Sequence, residues 1–296
     1  MAARVLDGKA LAQRVLDALV PRVARLRAEG VHVCVSIVRV GDDPASKVYV
    51  RGKMHAGEQI GVSALVIELP ASTTREEVCE RLAELNCDPA VHGILVQLPL
   101  PEGFDPHAIA AEIDPGKDVD GFHAANLGRL VQGTAMLPPC TPAGVLRLLD
   151  DAGIDLRRKH CVVVGRSETV GKPMALMLIE RDATVTVCHS KTRDLPAYTR
   201  DADVLVVATG RPGLIDGSMV RAGAAVIDVG VNRAADGRLV GDVDALSVAG
   251  RAGYLSPVPG GVGPMTVAML MENTVRAAEL RFPGLSQDLT SNTCSG

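Results

Sequence analysis

The order of segments in this 296-residue chain predicts an α/β protein with two domains. Short apolar segments rich in β-branched residues alternate with longer helical patterns in both halves of the chain, and glycine or proline stands at most junctions. Such alternation is typical of parallel sheets that helices cover on both faces. We therefore predict two three-layer α/β domains with a cleft between them.

The elements of the first half follow from apolar period and capping residues. They are a helix over 8–29, a strand over 32–40, a helix over 44–60, a strand over 63–69, a helix opened by a Thr73–Glu76 capping box, a strand over 93–98 and a short helix over 105–113. Residues 117–122 are expected to form a polar loop, and residues 124–139 to be irregular.

The second half repeats the alternation. The pattern predicts a helix over 141–151, strands over 161–164, 184–188, 203–208 and 224–229, and a long final helix over 265–280. If that helix returns to the first domain, the domains are 1–139 plus 267–285, and 140–266, with 286–296 a disordered tail.

Composition and charge exclude several classes of protein. The sequence is 47% hydrophobic and 22% charged, as in globular chains, and its scarcity of aromatic residues predicts an aliphatic core. A net charge of -4 without a long basic run argues against a nucleic-acid surface. No apolar run reaches transmembrane length, so no membrane partner is expected. The N-terminal residues lack a signal-peptide core, which predicts a cytoplasmic protein.

The cysteines and histidines indicate no metal site. The seven cysteines contain no C-x-x-C pair, and the seven histidines form no H-x-x-x-H cluster. Scattered cysteines in a cytosolic protein are usually reduced, small hydrophobic residues. We therefore expect neither disulfides nor a bound metal.

A glycine-rich turn from Gly165 to Gly171 joins a buried strand to a helix. Such a unit offers backbone N–H groups and a helix N-terminus to a phosphate. It departs from G-x-G-x-x-G, because Ser167 replaces the second glycine and Gly171 comes one residue late, so a plain strand–helix connection is an equal alternative. With the strand over 184–188 that follows, it predicts a Rossmann-like dinucleotide-binding domain.

The residues after that strand favour NADP over NAD. An NAD site places a carboxylate near the strand end to hold the ribose 2′-OH, whereas this chain has His189-Ser190-Lys191-Thr192-Arg193. Hydroxyls and cations suit a 2′-phosphate, and Arg166 in the turn could donate to the same group. The alternative is a solvated basic loop.

Candidate chemical groups occur at three other places. Ser46, Tyr49 and Lys53 have spacings that put them on one helix face, for which an exposed polar face is the simpler explanation. Gln97 ends a buried strand, where ligands of α/β sheets bind, although a strand-end cap explains it equally. Asp120 precedes a glycine and is either a ligand group or a turn aspartate. The PVPGGVGP loop, residues 257–264, has glycines whose backbone a flat ligand could approach closely. The alternative is that the loop is only a tight crossover into the last helix.

Ten segments then carry a family resemblance across residues 4–280. They are SKVYVRGK, GILVQLPLP, KDVDGFH, PCTPAGV, VVVGRSETVGKPM, TVTVCHSKT, VVATGRPG, VIDVGVN, LVGDV and SPVPGGVGPMTVAML. In this order they closely resemble the bifunctional methylenetetrahydrofolate dehydrogenase/methenyltetrahydrofolate cyclohydrolase family. Each segment is weakly specific alone, and together they are highly specific.

The resemblance implies roles for individual residues. Lys53 matches the catalytic lysine, Tyr49 the tyrosine that stacks on folate, Gln97 the glutamine that tunes the lysine, and Asp120 the aspartate that grips the pterin. The implied substrate-binding residues are Ser46, Tyr49, Lys53, Val96, Gln97, Leu98, Asp120, Pro259, Gly260, Gly261, Val262 and Gly263. The implied NADP contacts are Gly165, Arg166, Ser167, Ser190 and Val231.

The resemblance also implies a cytosolic homodimer that interconverts methylene-, methenyl- and formyl-tetrahydrofolate, as in one-carbon supply for purine biosynthesis. Two rival interpretations remain open at this point. One is an NADP-dependent dehydrogenase of another small cyclic substrate, of the shikimate type. The other is a dinucleotide-sensing regulatory protein without turnover, which could dispense with Lys53 and Asp120.

Overall fold

The computed structural model describes residues 2–282, and the tail predicted over 286–296 lies outside them. Contacts divide the chain into two compact units, named here by their sheets. The six-strand unit contains the chain up to Gln13, Leu130–Thr134 and Pro139–Met269. Of the described residues, the three-strand unit contains Arg14–Arg129, Ala135–Pro138 and 270–282. None of the helices within 2–282 is long and apolar enough to cross a membrane.

The elements follow one another in an α/β alternation. The strands are β1 (Arg4–Val5), β2 (Cys34–Val40), β3 (Ser63–Leu69), β4 (Gly93–Val96), β5 (His160–Val164), β6 (Thr184–Cys188), β7 (Val204–Val207), β8 (Ala225–Asp228), β9 (Asn232–Arg233), β10 (Leu239–Val240) and β11 (Tyr254–Leu255). The helices are α1 (Gly8–Ala28), α2 (Pro44–Ile60), α3 (Arg75–Cys87), α4 (Pro106–Ala110), α5 (Ala124–Val131), α6 (Cys140–Asp151), α7 (Gly171–Ile179), α8 (Leu195–Thr199), α9 (Ala245–Ala249) and α10 (Val262–Arg281).

The three-strand unit is organised around β2. The sheet has the order β3-β2-β4, and both pairings are parallel. Val35, Ile37 and Val38 of β2 have no solvent exposure, so the strand is buried on both faces. A central parallel strand between layers of helices requires such a continuous apolar run.

The six-strand unit has a parallel sheet in the order β1-β11-β8-β7-β5-β6. The strand β5 lies between β6, which follows it, and β7, so the direction of winding reverses at β5. In open α/β sheets, ligands bind outside the carboxyl ends of the strands at such a reversal. This arrangement confirms the predicted α/β class.

The beginning of the chain differs from the prediction. Residues 1–13 were assigned to the first domain, but Arg4 and Val5 form a strand that pairs with Tyr254 and Leu255 of β11. Accordingly, the contacts of these residues place them in the six-strand unit. A two-residue strand is too short to show any period in the sequence, and its partner lies some 250 residues away.

Two further local predictions are corrected by the structure. The capping box joins Thr74 and Glu77, one residue later than predicted, because the next Thr and Glu have the same spacing. Residues 124–131 form α5 instead of irregular chain. Its first turn is capped by the ring nitrogen of His123, which accepts from the Ala125 N–H, and histidine is not a usual cap signal.

The segment 117–122, predicted as a polar loop, is anchored by a buried lysine. Lys117 is fully buried, and its Nζ donates to the carbonyls of Leu85 at 2.6 Å and Asp88 at 2.7 Å. These carbonyls lie at the C-terminal end of α3, where a cation is favourable. Burial lowers the pKa of Lys117. The lysine thereby fastens the segment that carries Asp120 to α3.

The core is aliphatic, as the composition predicted. The largest fully buried side chains are leucine, isoleucine, methionine and Lys117. Cys140, Cys161 and Cys188 are buried, and burial raises the pKa of Cys161 to about 12. A thiol with so high a pKa is inert at neutral pH, so Cys161 packs as a small hydrophobic residue.

Candidate active site

A buried lysine–glutamine pair lies at the carboxyl end of β4. Lys53 projects from α2, and Gln97 follows β4 directly. Lys53 Nζ donates to Gln97 Oε1 at 2.9 Å, and the two residues are only 8% and 7% exposed. Gln97 Nε2 in turn donates to the Leu98 carbonyl at 2.6 Å, which fixes the orientation of the amide. An amine held this way against a neutral amide is available for proton transfer.

The predicted polar face of α2 is partly buried, so the simpler explanation of an exposed face does not hold for all of it. Ser46 is buried, and its Oγ donates to the Leu98 carbonyl at 3.4 Å. Tyr49, one turn before Lys53, remains 43% exposed. Val96 and Leu98 are half-buried. The face therefore places a phenol that solvent can reach next to a sequestered amine.

Asp120 lies in a loop that follows β4. A parallel bridge joins Ile94 to Asp118, so the chain that leads to Asp120 runs alongside β4 toward its carboxyl end. Asp118 is buried and accepts from the N–H groups of Gly121 and His123, at 3.1 and 2.8 Å. Asp118 therefore shapes the loop, whereas Asp120 is half-buried.

The PVPGGVGP loop packs closely against the start of α1 within the six-strand unit. The Lys9 N–H donates to the Gly260 carbonyl at 2.9 Å, and a Cβ at Gly8 would lie 1.8 Å from the Gly261 carbonyl oxygen. Val262 is buried and begins α10, three residues before the predicted start. Pro259 and Gly263 are exposed. The loop is a tight crossover with two accessible positions.

The glycine turn between β5 and α7 depends on its glycines for close backbone contact. A Cβ at Gly165 would lie 2.2 Å from the Ala208 carbonyl oxygen, and one at Gly171 would lie 2.2 Å from that of Gly165. Ser167 Oγ accepts from the N–H groups of Val170 and Gly171, at 3.2 and 3.3 Å. Two of the N–H groups expected to face a phosphate are therefore bound within the turn.

Four of the five predicted cofactor residues line one cavity of about 410 Å³. The cavity lies at the carboxyl ends of β5, β6 and β7, where the winding reverses. The four residues are Gly165, Arg166, Ser167 and Ser190. Val231, the fifth, is 44% exposed and is not part of the lining. Arg211 also lines the cavity and had not been predicted, so two arginines contribute to its lining.

Two buried aspartates of the same unit were also missed by the sequence analysis, and one of them, Asp242, bonds to the lining residue Thr209. Asp228 ends β8 and is 3% exposed, and Asp242 is fully buried. Burial raises the pKa of Asp228 to about 6, with a contribution from the negative charge of Asp242, and three backbone N–H groups oppose the rise. The available signal was an acid beside glycine in VIDVGVN and LVGDV, since glycine allows close approach of a carboxylate.

The raised pKa of Asp228 predicts a pH-dependent stability. The ordinary value is 3.8 and the folded value about 6. A carboxyl group shifted upward stabilises the fold below its ordinary value, and this contribution is lost as pH rises through about 6. Between about pH 3 and 7, we expect the wild type to lose roughly 3 kcal/mol of unfolding free energy relative to Asp228→Asn. Urea unfolding of both proteins measures this difference. A constant difference across that range would contradict the prediction.

The fold and these sites define a class of protein. A Rossmann-like parallel sheet carries, where its winding reverses, a glycine turn and a cavity that two arginines help to line. A second parallel sheet carries a buried amine held by an amide at a strand end. Together they characterise an α/β enzyme with a dinucleotide site.

Comparison with known families identifies the chain further. Residues 6–120 match the tetrahydrofolate dehydrogenase/cyclohydrolase catalytic domain, and residues 139–282 match the NAD(P)-binding domain of the same family. The chain belongs to the tetrahydrofolate dehydrogenase/cyclohydrolase family. Family membership argues against the shikimate-type and regulatory alternatives.

Individual relatives are similar to this chain over nearly the full length of both proteins. The bifunctional protein FolD of Bordetella bronchiseptica is 55% identical over 279 residues, which are 94% of this chain and 99% of that protein. The structure of the bifunctional enzyme FolD from Campylobacter jejuni is 47% identical, with a TM-score of 0.93 over 95% of this chain and 100% of that one. A Trypanosoma brucei FolD structure, complexed with NADP cofactor and inhibitor, is 39% identical, with a TM-score of 0.91 over 95% and 99%.

Proposed function

We propose that this protein oxidises 5,10-methylenetetrahydrofolate to 5,10-methenyltetrahydrofolate with NADP and hydrolyses the product to 10-formyltetrahydrofolate. The observation that carries the proposal is the buried hydrogen bond from Lys53 Nζ to Gln97 Oε1 in a chain of this family. An amine secluded from water is suited to the second reaction, which needs a proton donor and acceptor.

The proposed substrate contacts combine the family's pattern with the geometry of each unit. Lys53 is the catalytic amine, Gln97 orients it, Tyr49 offers its exposed ring for stacking, and Asp120 accepts from the pterin. The remaining proposed contacts are Ser46, Val96, Leu98 and residues 259–263. Of the last segment, Pro259 and Gly263 are the exposed positions, while Val262 is buried and contributes through its backbone.

The first reaction needs positioning more than acid–base chemistry. When bound, NADP supplies the acceptor for the hydride that leaves the bridging carbon, and nitrogen lone pairs stabilise the cation that forms. The tasks of this chain are therefore to hold two flat reactants in contact and to exclude water. Tyr49 and Asp120 serve the folate in this step.

The second reaction adds water to the methenyl carbon. The water must lose a proton as its oxygen bonds to carbon, and the ring nitrogen must gain one before its bond to that carbon breaks. Lys53 takes the first proton in its neutral form and returns it to the ring nitrogen in its charged form, while Gln97 accepts a hydrogen bond in both. As the carbon–nitrogen bond breaks, the hydroxyl of the adduct becomes the formyl carbonyl and its proton is released to solvent. The pair thus serves as base and then as acid.

The residues of the six-strand unit fit NADP. Gly165 brings the backbone of β5 and β7 too close for any side chain, and Arg166, Ser167 and Ser190 line the space beside it. A guanidinium and a hydroxyl match the donors that a 2′-phosphate accepts. Arg166 and Ser190 are accordingly the proposed determinants of NADP preference.

Removal of Arg166 tests this preference. In Arg166→Ala, we expect the dissociation constant for NADP to rise about 10- to 100-fold, as for the loss of hydrogen bonds to a charged group, and that for NAD to change about threefold or less. Calorimetric titration measures both. Arg157→Ala is the matched control, because Arg157 is an exposed arginine in the same unit outside the cavity. Comparable affinity for both cofactors, before and after the change, would refute the proposal.

We also propose that the protein works as a cytoplasmic homodimer that supplies one-carbon units for purine biosynthesis, as the family resemblance implies. The edge strand β3 supports an association of subunits, since Leu65 on it is 47% exposed. Light scattering after gel filtration tests the assembly: a mass of two chains is expected, and a monomer at micromolar concentration would exclude it.

A further inference from the structure

Asp242 gathers two separate loops at the carboxyl edge of the six-stranded sheet. Its Oδ2 accepts from the Thr209 N–H at 2.6 Å, from Thr209 Oγ1 at 3.0 Å and from the Gly210 N–H at 2.9 Å. Its Oδ1 accepts from Asn232 Nδ2 at 2.9 Å. One fully buried carboxylate therefore fastens the loop after β7 to the start of β9.

Asp228 holds the same region from the side of β8. Its Oδ1 accepts from the N–H groups of Gly230 and Asp242, each at 3.0 Å, and its Oδ2 accepts from the Val243 N–H at 2.9 Å. The two aspartates are thus joined through the backbone of Asp242. Together they determine the path of the chain on both sides of the β9–β10 hairpin.

Two glycines make this arrangement possible. A Cβ at Gly230 would lie 2.3 Å from the Asp242 carboxylate, and a Cβ at Gly241 would lie 1.8 Å from the Asp228 carboxylate. The Asp242 carboxylate therefore fills the space that a side chain at Gly230, close to Asp228, would need. The Asp228 carboxylate likewise fills the space that a side chain at Gly241, next to Asp242, would need. Such reciprocal packing indicates a built site and not a pair of incidental turn residues.

The segments held by the two aspartates border the cofactor region. Thr209 and Arg211 line the cavity described above, and the Arg211 N–H donates to Thr209 Oγ1 at 3.3 Å. Val231, a proposed cofactor contact, stands between Gly230 and Asn232, which the two carboxylates bind. The hydrogen bonds of Asp242 thus reach, through Thr209, the backbone of Arg211, a residue that lines the cavity.

We propose that Asp242, supported by Asp228, is a positioning residue for the dinucleotide, which it serves by fixing Thr209, Arg211 and Val231. This inference rests on the proposed NADP site. The requirement is for a carboxylate, because all four groups around Asp242 are donors. An asparagine would turn an NH₂ group toward at least one of them and lose that contact.

The test compares Asp242→Asn with Asp244→Asn in the full-length protein. Asp244 caps α9 two residues further along, where asparagine is an equivalent cap. The measurements are the dissociation constant for NADP by calorimetry, KM for NADP, kcat of the dehydrogenase, the rate of methenyltetrahydrofolate hydrolysis without cofactor, and Tm.

For Asp242→Asn we expect the dissociation constant and KM for NADP to rise about tenfold or more, and hydrolysis to stay within about twofold of the wild type. Asp244→Asn should match the wild type in every measurement. A purely structural role would lower Tm and leave NADP affinity unchanged, which would overturn the proposal. A hydrolysis rate that falls in parallel with NADP affinity would also overturn it.

The test still gives an answer if Asp242→Asn does not fold or if the wild type binds NADP without turnover. If Asp242→Asn does not fold, Thr209→Val removes the hydroxyl that links Asp242 to the backbone N–H of Arg211 while keeping the side-chain shape, and a three- to tenfold rise in KM for NADP is expected. An unchanged KM in that variant contradicts the inference. If the wild type binds NADP without oxidising methylenetetrahydrofolate, the proposed function fails, and calorimetry alone still decides the role of Asp242.

Discussion

Replacement of Lys53 by methionine is expected to slow hydrolysis of methenyltetrahydrofolate by about a hundredfold to ten-thousandfold, which is the usual contribution of a general acid–base group. Methionine keeps the length and apolar stem of the side chain but cannot exchange a proton. It also leaves Gln97 Oε1 without the donor seen at 2.9 Å. The decay of the methenyl absorbance measures the rate directly.

The same variant should affect the two reactions unequally. Oxidation of methylenetetrahydrofolate needs no base, so we expect the dehydrogenase rate to fall much less than hydrolysis. Lys47→Met is the matched control, because Lys47 lies on the same helix and is exposed. A Lys53→Met protein that hydrolyses at the wild-type rate would remove the basis of the proposed function.

Gly165→Ala should disrupt both stability and cofactor binding. The new Cβ would lie 2.2 Å from the Ala208 carbonyl oxygen, and the backbone at this position has φ +132, where other residues are strained. Overpacking and strain together should cost roughly 3–5 kcal/mol of unfolding free energy. The new side chain would force the ends of β5 and β7 apart beside the cavity, so we expect the affinity for NADP to fall together with the stability.

Gly213→Ala separates the steric effect from the effect of backbone conformation. Gly213 also has a positive φ, of +64, but an added Cβ meets nothing within 4 Å. Its expected cost is about 1–2 kcal/mol, with NADP affinity unchanged. Thermal unfolding with and without NADP measures both effects. Equal losses in the two variants would show that the contact with Ala208 is unimportant.

The parts of the candidate site that could be predicted lie on regular elements. The spacing of Ser46, Tyr49 and Lys53 placed them on one face of a helix whose predicted bounds, 44–60, agree with the structure. Gln97 was predicted at a strand end because a short apolar run precedes it. Local period and fold-level rules were sufficient for such positions, although the roles assigned to these residues remain proposals.

The same reasoning could not identify three other residues, Arg211, Asp228 and Asp242. Their importance depends on which strand ends become neighbours, and that order, β8-β7-β5-β6, is not encoded in any local pattern. Asp242 meets Thr209 across 33 residues of chain. The helix α5 was missed for a different reason, since its first turn is capped by His123, a residue with no strong preference for that position.

The reciprocal fit of the two glycines and two aspartates restricts how this chain can change over generations. Enlarging Gly230 or Gly241 displaces a carboxylate, and shortening either acid leaves its N–H partners buried without an acceptor. Each single substitution gives a destabilised protein, so we expect the four positions to change together and not one at a time. A library that varies them one at a time would recover only the parent sequence, whereas varying all four together could yield a second working combination.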